Sequence, residues 1–174
     1  MRKLSVCLVA GSSILLIAIS SLLAPSPRLV WNASASAPVG LYRIEPVNAQ
    51  KVGDLLAVKA PERIARFMAA RDYLPINALL LKRVAALSGT RICRLDDRIL
   101  VAGREIARAK LRDSQGRALP QWRGCRRLGD DELFLVNADV PDSLDGRYFG
   151  PFPKHAIVGL AHPIWIDRAK DGRP

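Results

Sequence analysis

The sequence predicts a mostly β domain behind one N-terminal apolar helix. Short runs of apolar or alternating residues recur between Gly, Pro and Asp turn signals from Leu41 to Ile166, which is the pattern of strands. Helical spacing is confined to Pro61–Arg71, and an apolar run occupies residues 4–24. At 174 residues the chain holds one domain with a core plus a short extra segment.

Taken in order, Met1-Arg2-Lys3 precedes an apolar run of about the length that crosses a bilayer. The positive residues keep the N-terminus cytoplasmic, so residues 1–24 read as a signal anchor and residues 25–174 as a domain outside the cytoplasmic membrane. A cleaved signal peptide competes with this reading. The run exceeds a usual h-region, however, and Leu22-Leu23-Ala24-Pro25 is a poor cleavage site. Residues 25–28 form a short tether. Leu41-Tyr42-Arg43-Ile44 alternates and Leu55–Lys59 follows a Gly53-Asp54 turn, giving two strands. Pro61–Arg71 has Pro at a helix start and apolar residues at i, i+3 and i+4.

Ala78–Gly89 is strongly apolar around one basic pair, and Arg91–Leu95 with Arg98–Val101 reads as a hairpin turning at Asp96-Asp97. Residues 107–127 are polar and Gly/Pro-rich, and read as an irregular excursion. Glu132–Val136 is a strand, residues 139–145 a turn-rich loop, and Ile157–Ala161 and Pro163–Ile166 two closing strands.

The net charge is +11, and beyond Arg2-Lys3 the Arg residues are scattered from Arg28 to Arg173 without a basic stripe or interleaved aromatics, which argues against nucleic acid and suits anionic lipid headgroups. Cys7 lies in the apolar run, leaving Cys93 and Cys125 as a pair that is joined if the domain is exported and otherwise two free thiols. His155 and His162 have no ligand constellation, so neither a metal nor a cofactor is expected.

Three stretches carry candidate chemistry. In Asn32–Tyr42, small residues leave the Ser36 hydroxyl and N–H approachable, while Pro38 and Gly40 shape the backbone beyond; the plain alternative is a linker. Lys82 sits among Leu79, Leu80, Leu81 and Val84, where burial lowers an amine pKa. A neutral Lys82 can take a proton from a serine; the alternative is a lysine reaching out to water. In Asp142–Gly150, the alternate positions Ser143, Asp145 and Arg147 face one side of an extended segment, or else form an ordinary acidic turn.

With all three in view, the chain resembles the type I signal peptidases with a Ser–Lys dyad, and among them the conjugative-transfer, TraF-type peptidases. The motifs that carry the resemblance are S-A-S-A-P-V-G-L-Y from Ser34, L-K-R-V-A-A-L-S-G from Leu81 and D-S-L-D-G-R-Y-F-G from Asp142. The resemblance implies a signal-peptidase-like β-sheet or barrel catalytic domain with an N-terminal transmembrane helix, held at the inner membrane with the domain in the periplasm. It implies Ser36 as nucleophile and Lys82 as general base. It further implies that the Ser36 N–H and the Ser34 hydroxyl stabilise the oxyanion and that Ser143 orients Lys82. An aspartate matching Asp145 counts as catalytic in the TraF-type branch and elsewhere supports the structure through the arginine matching Arg147.

The implied substrate is a pilin precursor, matured and in some systems cyclised, and the implied partners are conjugative transfer or type IV secretion components. Ala37 stands where many relatives have Met, and Asp139-Val140-Pro141 replaces a more polar run. Both departures point away from a housekeeping preprotein peptidase. Two other classes stay open: an inert anchored assembly protein of the conjugation apparatus, and a cleaved periplasmic binding module. A Ser–His–Asp hydrolase is disfavoured, because His155 lies in a Pro-flanked loop and no G-x-S-x-G surrounds Ser36.

Overall fold

The computed structural model describes residues 2–23 and 28–167. After helix α1 (Arg2–Leu23) come β1 (Leu29–Asn32), β2 (Gly40–Glu45), β3 (Leu55–Lys59), helix α2 (Glu62–Ala69) and β4 (Leu79–Ala86). Then follow β5 (Arg91–Leu95), β6 (Arg98–Val101), β7 (Arg104–Arg108), β8 (Gly124–Arg127) and β9 (Glu132–Leu135). The short helix α3 (Gly146–Phe149), β10 (Phe152–Pro153) and β11 (Ile157–Ile166) complete the fold. Strands pair antiparallel in two sheets, one ordered β1-β2-β11-β3-β4-β9-β10 and the other β7-β6-β5-β8.

Strand β9 explains how the two sheets share one interior. Its alternate residues point to opposite faces. Leu133 and Leu135 enter a core with Leu56, Val58, Leu80, Val84 and the α2 residues Ile64 and Met68. Phe134, with Val136 just beyond the strand, enters a second core with Ile92, Ile99 and Tyr148. A third cluster, containing Ala37, Tyr42, Ala57 and Leu81, packs beneath the loop between β1 and β2. Helix α2 forms where the sequence placed it. Pro61 is its N-cap and Glu62 lies in its first turn, where a carboxylate complements the helix dipole.

Several expectations change. Among the described residues no helix is long and apolar enough to cross a membrane, so α1 is present as a helix without its spanning role being established. The tether at residues 25–28 lies outside the described residues except for Arg28. Residues 107–127 are not wholly irregular, because β7 runs to Arg108 and β8 begins at Gly124. Alternation was unreadable there: β8 is exposed throughout and presents no apolar face. The two closing strands are one strand, β11, with a register shift between Pro163 and Trp165. A proline has no N–H for the ladder, and a bulge absorbs that loss. The segment holding Ser143, Asp145 and Arg147 is not extended either: Asp145 caps the helical turn α3, accepting the Arg147 N–H at 3.1 Å.

Candidate active site

Residues 33–39 close the hairpin between β1 and β2, in which Asn32 pairs with Gly40. A chain with so many small residues has little apolar surface to hold it, and hydrogen bonds do so instead. The buried Asn32 amide donates to the carbonyls of Ser34, Ala37 and Pro38 at 2.9 to 3.0 Å. Its Oδ1 accepts from the Ser34 N–H and hydroxyl at 3.2 and 3.0 Å. Tyr42 donates its hydroxyl to the Pro38 carbonyl at 2.7 Å. Gly40 is required by close approach, since a Cβ there would stand 2.1 Å from the Trp165 carbonyl oxygen on β11. The loop presents Ser36, half-buried, with its Oγ 3.1 Å from that of Ser34.

Lys82 lies in β4 opposite Leu56 of β3, and Leu80 and Val84 share its face. It is 2% exposed. Burial in this apolar setting brings its pKa down from 10.5 to about 8; Asp145 nearby opposes the shift and Arg147 adds to it. Its Nζ donates to Ser143 Oγ at 2.8 Å. The bland alternative, an amine reaching solvent, is excluded by this burial.

Ser36 and Lys82 open onto one cavity of about 220 Å³, shared with Ser34 and walled by Met68, Leu74, Leu80, Val140 and Leu144. Met68 comes from α2, and Leu74 from the chain just after it. The wall is mainly apolar, with Tyr73 and Asp142 also on it, which suits an extended peptide with apolar side chains. Among the described residues no hydrogen bond joins Ser36 to Lys82; each hydroxyl or amine is held by its own serine neighbour.

Asp145 is fully buried and does not reach either group. Its Oδ1 accepts from Arg147 Nε at 2.9 Å, and its Oδ2 from Arg147 Nη2 and the Asn137 N–H at 3.1 and 3.0 Å. Arg147 is equally buried and also donates to the carbonyls of Asn137 and Pro141. Cys93 and Cys125, left open by the sequence, are disulfide-bonded across β5 and β8. His162 lies 3.4 Å from Glu45, and neither histidine lines the cavity.

The sequence reading passed over Asn32 and Asn137. Asn32 ends β1 and Asn137 lies just beyond β9, positions where a buried amide must find partners, and that was the available signal. Asn32 shapes the Ser36 loop. The Asn137 amide reaches the carbonyls of Ser36 and Leu81 and the N–H of Arg83.

The family model for signal peptidase, peptidase S26, matches residues 1–166. The chain belongs to the signal peptidase S26 family. Relatives within and around it divide into two kinds. The conjugal transfer protein TraF of Agrobacterium fabrum is 33% identical over 145 residues, covering 77% of this chain and 80% of its own. A plasmid transfer protein TraF of Escherichia coli is 31% identical over 170 residues, covering 90% and 92%. Signal peptidase I V of Bacillus subtilis is 29% identical over 136 residues, covering 68% and 81%. Membership of S26 makes this a chain of the serine peptidase type, related both to signal peptidase and to conjugal transfer proteins.

Proposed function

We propose that this S26 chain is a membrane-anchored serine endopeptidase of conjugative transfer that matures an exported precursor, a propilin, through an acyl-enzyme on Ser36. The observation that carries the reading is the shared apolar cavity, onto which both a serine hydroxyl and an amine with a pKa of about 8 open. An extended precursor lying in the cavity excludes water and brings the two groups together. Ser36 Oγ attacks the scissile carbonyl while Lys82 Nζ takes its proton, the Ser36 N–H donates to the oxyanion, and the Ser34 hydroxyl turns from Asn32 Oδ1 to donate there as well. Lys82 then returns the proton to the leaving amine. Water releases the acyl group, or the precursor's own amine does so and closes a ring. Ser143 orients the amine, and Asp145 acts through Arg147 and Asn137 rather than on the reacting atoms.

The anchor in this proposal is α1, with Arg2 and Lys3 on the cytoplasmic side and the β domain in the periplasm. Trp31 and Trp165 support a membrane-facing edge: they are exposed, stack with centroids 5.7 Å apart, and flank Leu29 and Ile164. Carbonate-washed membranes are expected to retain a chain whose intact mass begins at Met1; release as a soluble fragment starting after Ala24 contradicts the anchor.

The decisive experiment for the chemistry compares wild type with Ser36→Ala and Lys82→Ala on a pilin precursor in membranes. Both variants are expected to lose processing by at least about 1000-fold, the order lost when a nucleophile or its base is removed. Undiminished processing in both identifies an inert anchored assembly protein instead.

A further inference from the structure

Asn137 holds the site together in a way that neither the motifs nor the family membership assigns. It follows the end of β9 and is 5% exposed. Its carboxamide replaces a strand at the point where the sheet runs out. Oδ1 accepts the Arg83 N–H at 2.8 Å, and Nδ2 donates to the Leu81 carbonyl at 3.1 Å. Those are the partners that a parallel neighbour's peptide groups would take around Lys82. The same Nδ2 donates to the Ser36 carbonyl, so one side chain grips the nucleophile's own residue and the backbone on both sides of the amine.

The main chain of Asn137 is fixed as well. Its N–H is bound by Asp145 Oδ2 and its carbonyl by Arg147 Nη2 at 2.7 Å. The carboxamide therefore cannot follow a shift of the loop without disturbing a buried ion pair. Asn32 shapes residues 33–39 internally, whereas Asn137 ties that loop to β4.

We propose that Asn137 is a positioning residue which sets the distance and direction between Ser36 Oγ and Lys82 Nζ by holding the Ser36 carbonyl to the strand that carries Lys82. The proposal rests on the peptidase reading for its kinetic consequence and on geometry alone for its structural one. Proton transfer needs a donor–acceptor separation of about 2.6 to 3.2 Å, and a misplacement of about 1 Å costs on the order of 100-fold in rate.

The test is Asn137→Ala in the full membrane-extracted chain, with kinetics on a precursor peptide, thermal unfolding, and a crystal structure of the same full-length variant. Folded Asn137→Ala is expected to show kcat down on the order of 100-fold and KM within about threefold, with the rate still rising with pH through the wild-type midpoint. Should that variant fail to fold, Asn137→Asp keeps the acceptor for Arg83 and loses the donor to Ser36. It is expected to show the same fall in kcat, with the midpoint moved upward by the added carboxylate.

A kcat within threefold of wild type in either folded variant overturns the proposal, as does a rate loss equal to the loss of folded protein. If wild type itself processes nothing, the peptidase reading fails separately. The crystal structure then decides: residues 33–39 displaced relative to β4 support the positioning role, and an unmoved loop sinks it.

Discussion

Burying an amine disfavours its charged form, and Lys82 bears that cost at neutral pH. With a folded pKa of about 8 against 10.5 for the free side chain, the unfolded chain holds the Lys82 proton longer as pH rises. Below pH 8 both states are protonated and the penalty is fully present, about 3 kcal/mol from the size of the shift. Stability contributed at this site therefore increases with pH between the two values. Lys82→Met is expected to be more stable than wild type at pH 7, and its advantage to shrink by about 2 to 3 kcal/mol by pH 10. Urea unfolding of both proteins at the two pH values measures this, and a constant difference would mean that the amine is solvated. The same titration governs the chemistry: kcat/KM is expected to rise with pH and level off above about 8, because only the neutral amine accepts a proton. A midpoint near the ordinary lysine value would remove Lys82 as the base.

Elements α3 and β4 show how a charge can tune this amine without touching it. Asp145 caps α3 and pairs with Arg147, and its field raises the Lys82 pKa that burial lowers. Asp145→Asn leaves the Arg147 guanidinium buried without a counter-charge, a change expected to destabilise by about 3 to 5 kcal/mol in urea unfolding. In whatever fraction stays folded, the pH midpoint of kcat/KM is expected to fall below that of wild type while turnover persists. Complete loss of turnover in folded protein would instead make Asp145 a direct participant. These elements also show what a sequence displays and what it hides. Ser36, Lys82 and Ser143 were legible because small residues, an apolar run and a turn each leave a local trace. The alternation of β2, the apolar runs of β3 and β4, the turn between β5 and β6 and the spacing of α2 were legible for the same reason. Strand β1 and strand β8 were not, since Leu29–Asn32 is held by pairing with β2 and β8 is exposed throughout. Asn137 was hidden because the partners of its side chain lie 54 to 101 residues away along the chain.

At the scale of the whole molecule, the two sheets divide stability from chemistry. Ser36, Lys82 and the loop after β9 belong to the seven-stranded sheet, while the disulfide closes a span of 32 residues within the four-stranded one. A loop of that length gives roughly 3 to 4 kcal/mol on the chain-entropy model. The sheets meet through Phe134 of β9 and the adjoining Val136, which pack on the disulfide-bearing side, and through Arg94, which reaches from β5 to the Arg147 carbonyl at 2.8 Å. Phe134, Val136 and Arg94 do not line the cavity, and of the cavity walls Leu144 packs against the same cluster as Phe134. A Cys93→Ala/Cys125→Ala chain is therefore expected to lose about 3 kcal/mol of unfolding free energy yet keep wild-type kcat and KM at 25 °C, well below its lowered Tm. Urea midpoints and precursor cleavage on the same preparation separate the two effects. A rate that falls in parallel with the midpoint, while the protein is still folded, would show that the four-stranded sheet sets the geometry around Lys82 through Arg94 and α3.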